Sequence, residues 1–161
     1  MSDKRITKFN HRVGKMPLAI HNDKEAIWKT LKDQAERLVE EAQEVLDGVN
    51  NRDINEVLDG VVDTWYVREW MDDMLSALGI DVEASKHEVC MNNLNKITEN
   101  VDEAYEAATE YGNCFVYTYH GKNNYYSVLR EGDRKVMKLK THIPPNLDQF
   151  IPITTKQALE N

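Results

Sequence analysis

The sequence predicts a mainly α protein, an antiparallel helical bundle with a small C-terminal antiparallel β-meander. Two observations lead there. Between residues 22 and 112 the apolar residues recur at helical steps of three, four and seven. After Gly112 the chain turns to short β-branched and aromatic runs separated by turn sequences. Helices followed by strands, rather than alternating with them, argue against a doubly wound sheet. No Gly-rich phosphate loop is present. The chain therefore reads as an N-terminal arm (1–21), a helical domain (22–112) and a β-hairpin or meander with a tail (113–161).

Residues 1–21 are mixed in character, contain Gly14 and Pro17, and read as an extended arm or a short leading helix. Asn22 or Asp23 offers an N-cap. The first long helix then carries Ile27, Leu31, Leu38, Ala42, Val45, Leu46 and Val49 in register, and Gly48, Asn50 and Asn51 stop it. Asp53 restarts the chain as a second helix to Leu78, closed by Gly79. The short loop between them predicts an antiparallel hairpin. A third helix is expected over roughly 82–98 and a fourth over 101–111, ending at Gly112. Strands are expected at 115–119, 125–129 and 135–139, with turns at 120–123 and 131–134. Pro144, Pro145 and Pro152 are expected to end regular structure.

With 161 residues the chain is long enough to bury roughly two thirds of its unfolded surface without disulfides. Its 28 acidic against 20 basic residues leave a formal charge of −8, which disfavours binding to nucleic-acid polymers. No apolar run approaches the ~18 residues of a membrane span, and the N-terminus lacks a signal peptide's apolar core. Cys90 and Cys114 fit no metal or redox motif and suggest a reducing cytoplasm. The five histidines form no metal-binding spacing.

Part of the acidic excess is patterned. The first long helix carries Glu40, Glu41 and Glu44; the second carries Glu56, Asp59 and Asp63. At 100° per residue Glu41 and Glu44 lie within about 60° of each other, beside the apolar stripe, whereas Glu40 turns away by about 100°. The second helix is apolar almost all round, so it is expected to be largely buried. Glu56, Asp59 and Asp63 nevertheless share one narrow strip of it. Clustered carboxylates there repel one another and resist desolvation. Cations relieve both costs, and hard oxygen ligands suit Mg²⁺, with Mn²⁺ as a substitute. Glu41 and Glu44 lie about 8–12 Å from the hairpin loop, and Glu56 and Asp59 about 5–9 Å. Antiparallel packing therefore brings the two pairs face to face. Taken singly, a Glu-Glu pair on a helix is ordinarily a solvated face; matched levels and shared faces raise this one above it.

Glu40-Glu41-x-x-Glu44, eleven residues and then Glu56-x-x-Asp59 resemble the EExxE…ExxD signature of the all-α nucleoside triphosphate pyrophosphohydrolases, the MazG-like superfamily that includes phosphoribosyl-ATP pyrophosphohydrolase. The spacer stands at the short end of that family's range. Val89-Cys-Met-Asn-Asn-Leu-Asn-Lys96 is similar to the family's SNMSK stretch, and Gly79-Ile80-Asp81 and residues 132–138 are similar to its phage-type branch. The resemblance covers roughly residues 22–140. It implies Glu41, Glu44, Glu56 and Asp59 as Mg²⁺ ligands, Glu40 as the accessory acid, and Asn93 and Lys96 beside the substrate phosphates. Asp63-Thr-Trp-Tyr-Val fits the family's apolar-aromatic run after the aspartate better than Asp59-Gly-Val-Val does, so Asp63 stays as a further acid. The implied activity is hydrolysis of a (deoxy)nucleoside triphosphate between the α- and β-phosphates, giving a monophosphate and pyrophosphate. On that reading Glu41 or Glu44 accepts the proton of the attacking water. The implied assembly is a homodimer or homotetramer in which a second subunit completes the site.

Two other readings stay open: a catalytically silent helical module that binds a nucleotide or a protein, and a pyrophosphohydrolase for phosphoribosyl-ATP or a related compound. Trp28, Trp65, Tyr66 and Trp70 can stack on a base, but aromatics at helical spacing are more often core. Arg130, Lys135 and Lys138 read as a solvated edge or as a lid over phosphates.

Overall fold

A computed structural model of the chain describes residues 3–15, 18–19 and 23–160. Pro17 and Asn22, both named above, lie outside the described residues. Among those described, six α-helices and a three-stranded antiparallel sheet are present. The chain divides into two compact units, 1–83 with 149–161, and 84–148. This division runs across the 22–112 and 113–161 segments read from the sequence.

The first unit begins with α1 (Lys4–Arg12), so the leading segment is a helix. Asp3 caps it, its side chain accepting from the Arg5 backbone N–H. Next come α2 (Lys24–Asn51) and α3 (Ile54–Ala77), the expected antiparallel hairpin. Asp23 caps α2 by accepting from the Ala26 N–H at 3.0 Å. Gly48 does not stop α2. It lies inside the helix, which ends at Arg52 in a left-handed conformation (φ 60°). Asp53 then caps α3 through the Asn55 and Glu56 N–H groups.

The core of this unit lies at the end of the hairpin away from its loop. Ile6, Ile27, Trp70, Met74 and Leu78 form it, and Leu159 joins them from the C-terminal helix. Two buried polar groups are satisfied there. Gln34 Nε2 donates to the Val67 carbonyl at 2.9 Å, and Thr155 Oγ1 donates to the Leu78 carbonyl at 2.6 Å. Regular structure does not end at Pro152. A short 3₁₀ turn (Leu147–Phe150) precedes the proline, and α6 (Ile153–Glu160) follows it. A proline lacking an N–H suits the start of a helix, where that donor has no partner in the helix.

The loop half of the hairpin is different. Ile54, Leu58, Val61 and Trp65 of α3 are 75%, 62%, 51% and 40% exposed. The expectation that α3 is largely buried therefore fails for the single chain. Its packing partners in the unit are α2 and α1, which leave this stripe uncovered.

The second unit, from residue 84, contains most of α4 (Val82–Leu94), which is shorter than the 82–98 expected. Ile97–Thr98 leave the helix to form β1, which pairs with Ser127 and Tyr126. α5 (Val101–Tyr111) has the expected bounds, with Asn100 as N-cap and Gly112 as its left-handed end (φ 79°). β2 (Cys114–His120) and β3 (Asn124–Arg130) make the expected hairpin. The third meander strand, 135–139, reduces to one bridge, Leu129 to Val136. β1 occupies the same edge of β3 further along, so the sheet order is β1-β3-β2. α5 covers one sheet face with Ala104, Ala107 and Ala108 against Val128 and Leu139.

Among the described residues no helix is long and apolar enough to cross a membrane.

Candidate functional site

Two glycines bring α2 and α3 into contact at the level of the acids. A Cβ at Gly60 would stand 2.9 Å from both the Val45 backbone N and its Cγ2, and 3.4 Å from the Glu41 carbonyl oxygen. A Cβ at Gly48 would stand 2.8 Å from the Val57 backbone N and 3.1 Å from the Glu56 carbonyl carbon. Real side chains do not approach backbone so closely, so only glycine fits at either place. The consequence is positional: Glu41 of α2 stands level with Gly60, one residue from Asp59, and Glu56 stands against Gly48.

The carboxylates of the two helices feel one another. Glu41 is held above the 4.5 of an ordinary glutamate, first by desolvation, then by Glu44, Asp63, Glu40 and Asp59. Glu41 and Asp63 are half-buried, whereas Glu40, Glu44 and Asp59 are exposed. Glu56, half-buried, sits nearer the loop, where Asn51 Nδ2 donates to its Oε2 at 3.5 Å. Among the described residues no Lys, Arg or His stands within ion-pair distance of these six acids. Other acids of α2 do have such partners: Lys29 pairs with Asp33 at 2.7 Å and Lys32 with Glu36 at 3.5 Å. The strip level with Gly60 is thus a local excess of negative charge.

The acids do not converge on one point. Glu40 and Glu41 line a cleft of about 490 Å³ with Asp33, Glu36, Arg37 and Val67. Glu56 and Asp59 line another of about 570 Å³ with Asn55, Leu58 and Val62. Among the described residues no three His, Cys, Asp or Glu side chains meet in a metal-holding arrangement. Like charges repel, and the side chains line separate clefts although the Glu41 backbone stands level with Gly60, next to Asp59. The donor set suits a hard divalent cation in its chemistry and its level on the hairpin, and bringing the side chains together requires rotamer changes.

Glu41 yields a direct test. Because the fold raises its pKa, its contribution to stability is fully present below the unfolded value and is lost as pH rises through the folded value. Carboxyl-carbon NMR of the metal-free protein is expected to give Glu41 a midpoint above 4.5, lowered by Glu44→Gln or Asp63→Asn. A midpoint at or below 4.5 would mean that the acids do not interact.

Asn93 and Lys96 belong to the other unit and hold one another: Lys96 Nζ donates to Asn93 Oδ1 at 2.5 Å. Asn93 Nδ2 also donates to the Val89 carbonyl at 3.0 Å. Trp70 is buried in the core, and Trp28 donates its Nε1 to the Leu159 carbonyl at 3.2 Å, so both are structural. Arg130 is bound to Asp133 in its own turn. Cys90 and Cys114 are free thiols. Sequence reasoning missed the close-packing roles of Gly48 and Gly60; their opposed placement about the loop, one on each helix, is the signal that marks them. Compared with family models, curated proteins and solved structures, the chain matches none.

Proposed function

We propose that this chain is a Mg²⁺-dependent nucleoside triphosphate pyrophosphohydrolase with its metal held by Glu41, Glu44, Glu56 and Asp59. The observation that carries the reading is the strip of carboxylates on two helices in glycine contact, with no cationic side chain within ion-pair distance among the described residues. The EExxE…ExxD resemblance supports it independently of the geometry. Bound there, Mg²⁺ supplies charge neutralisation for a triphosphate and acidifies a water.

The chain's own residues do the rest. Glu41 or Glu44 would accept the water's proton. Glu40 and Asp63 hold the local potential negative and so favour cation binding. Lys96 and Asn93 are kept as phosphate ligands on the resemblance alone. A reducing cytoplasmic setting, consistent with the two free thiols, belongs to the same proposal.

The proposed assembly is a homodimer or homotetramer. Ile54, Leu58, Val61 and Trp65 follow steps of four, three and four, the spacing of a helix–helix seam, and they are exposed in the single chain. A second copy presents the same apolar stripe and none of the cost of burying an unlike partner's charges. Leu58→Lys with Val61→Lys is expected to convert the assembly to monomer in sedimentation velocity. An unchanged sedimentation coefficient would remove this stripe as the contact.

The splayed side chains favour one other reading, a helical module that binds without turnover. Incubation with each common NTP and dNTP, and with phosphoribosyl-ATP, with and without Mg²⁺, separates the readings. Monophosphate plus pyrophosphate, lost in EDTA, is the expected result, and its substrate names the class. Release of inorganic phosphate as first product overturns the proposal. Binding without any turnover favours the silent module.

A further inference from the structure

The open face of the sheet carries an aromatic surface that the carboxylate chemistry does not use. In the β2–β3 register Tyr117 faces Ser127 and Tyr119 faces Tyr125, and in the β1–β3 register Ile97 also faces Ser127. Alternation puts Phe115, Tyr117 and Tyr119 on one face of β2, opposite the residues that pack on α5. Leu94, Ile97, Tyr117, Tyr119, Tyr125 and Ser127 line a single cavity of about 520 Å³ there. That volume lies within the usual range for small-molecule sites.

The chemistry of the face selects its occupant. Three phenol rings are a surface for stacking a flat ring, with Ser127 as a polar neighbour between them. A planar cation already stacks on the same face: the Arg134 guanidinium lies 5.9 Å from the centroid of the Phe115 ring. At the other end of β2, Tyr119 reaches back over Gly121, next to Lys122 in the turn. Lys122 in that turn and Arg134 over Phe115 put a cation at either end of the platform, whereas Arg130 pairs with Asp133 and Lys140 with Glu110. An aromatic platform flanked by two cations complements a ring that bears phosphate. Two residues along a strand and three strands across give roughly 7 by 10 Å, room for one base and its sugar.

We propose that the open face of the β1-β3-β2 sheet is a stacking site for a single nucleobase of a mononucleotide, built by Tyr117, Tyr119 and Tyr125 with Ile97 and Leu94 at one side. The site stands on the sheet alone and does not depend on the carboxylate reading.

The test is a titration of the full-length chain with AMP, GMP, CMP and UMP in EDTA, which disables any divalent-metal chemistry. It is read by tyrosine-ring NMR signals, with ribose 5-phosphate as the base-free probe. At least one mononucleotide is expected to shift these signals saturably, and ribose 5-phosphate is not. Tyr117→Ala, Tyr119→Ala and Tyr125→Ala are each expected to weaken binding roughly five- to a hundredfold. The Phe variants are expected to bind nearly as wild type. Tyr119 is 58% exposed, so its truncation leaves no cavity and keeps the test independent of folding. The proposal is overturned if no mononucleotide gives a saturable shift or if ribose 5-phosphate reproduces it. It is equally overturned if Phe weakens binding as Ala does, or if an oligonucleotide of the same base binds tighter than the mononucleotide. Self-association lost in the same tyrosine variants would assign the face to a second copy instead.

Discussion

Glu44→Ala and Glu56→Ala are each expected to lower kcat/KM for the preferred triphosphate by on the order of 10²–10⁴-fold, the range for loss of a positioned catalytic group. One acid sits on α2 and the other on α3, so a loss from both sides ties the activity to the hairpin as a pair. Glu→Gln at either position is expected to be as damaging, because size is kept and only charge is lost. Glu110→Ala is expected to leave the rate unchanged, since Glu110 belongs to α5 and pairs with Lys140. In the metal-free protein Glu44→Ala removes one of the charges that raise the Glu41 pKa. The inactive Glu44→Ala variant should therefore melt at or above the wild-type temperature in EDTA. Activity retained within a few-fold in both variants would remove the carboxylates from the chemistry. Activity lost together with the fold would leave them structural.

Gly60→Ala tests the packing that sets this level, and it does so by sign. Intrinsic helix propensity favours alanine over glycine by about 1 kcal/mol at such a position. The contact says the reverse: the new methyl group meets the Val45 backbone N and Cγ2, both at 2.9 Å. Backbone cannot step aside as a flexible side-chain end can, so the helices must separate. The expected outcome is a net destabilisation of roughly 1–3 kcal/mol in urea unfolding, with Gly60→Leu worse. Gly48→Ala, against Val57 N at 2.8 Å, is expected to behave alike. Because separating the helices also parts Glu41 from Asp59, Gly60→Ala is expected to weaken divalent-ion binding as well. A stabilised Gly60→Ala would show that propensity outweighs the contact and that α2 and α3 are not pressed together there.

The features legible in the sequence are those written locally. Asp23, Asp53 and Asn100 announce helix starts because a short oxygen-bearing side chain accepts from exposed N–H groups nearby. Gly112 announces an end because it adopts φ 79° without strain. The level of Glu41 with Asp59 follows from a short loop and a rise of about 1.5 Å per residue, so it too was readable. What was illegible depends on distant partners. Ile97–Thr98 become a strand only because β3 has a free edge opposite Tyr126 and Ser127. α6 follows Pro152 because Thr155 and Leu159 find Leu78 and the core about 75 residues back in the chain. Gly48 reads as a stop signal until Val57 is seen against it. An apolar α3 reads as buried, since hydropathy does not say whether any element of the unit covers a given stripe. The direction of each carboxylate was likewise beyond reach, because rotamers answer to charge and not to spacing.

The central claim is that the acids of α2 and α3 hold one divalent site. Paramagnetic broadening by Mn²⁺ tests it most directly, using amide NMR signals of the full-length protein and competition by Mg²⁺. Substoichiometric Mn²⁺ is expected to erase the amide signals around Glu41, Glu44, Glu56 and Asp59 first, with recovery on adding Mg²⁺ and loss of the effect in Glu56→Ala. Broadening that begins elsewhere, or that Glu56→Ala leaves intact, would contradict the claim.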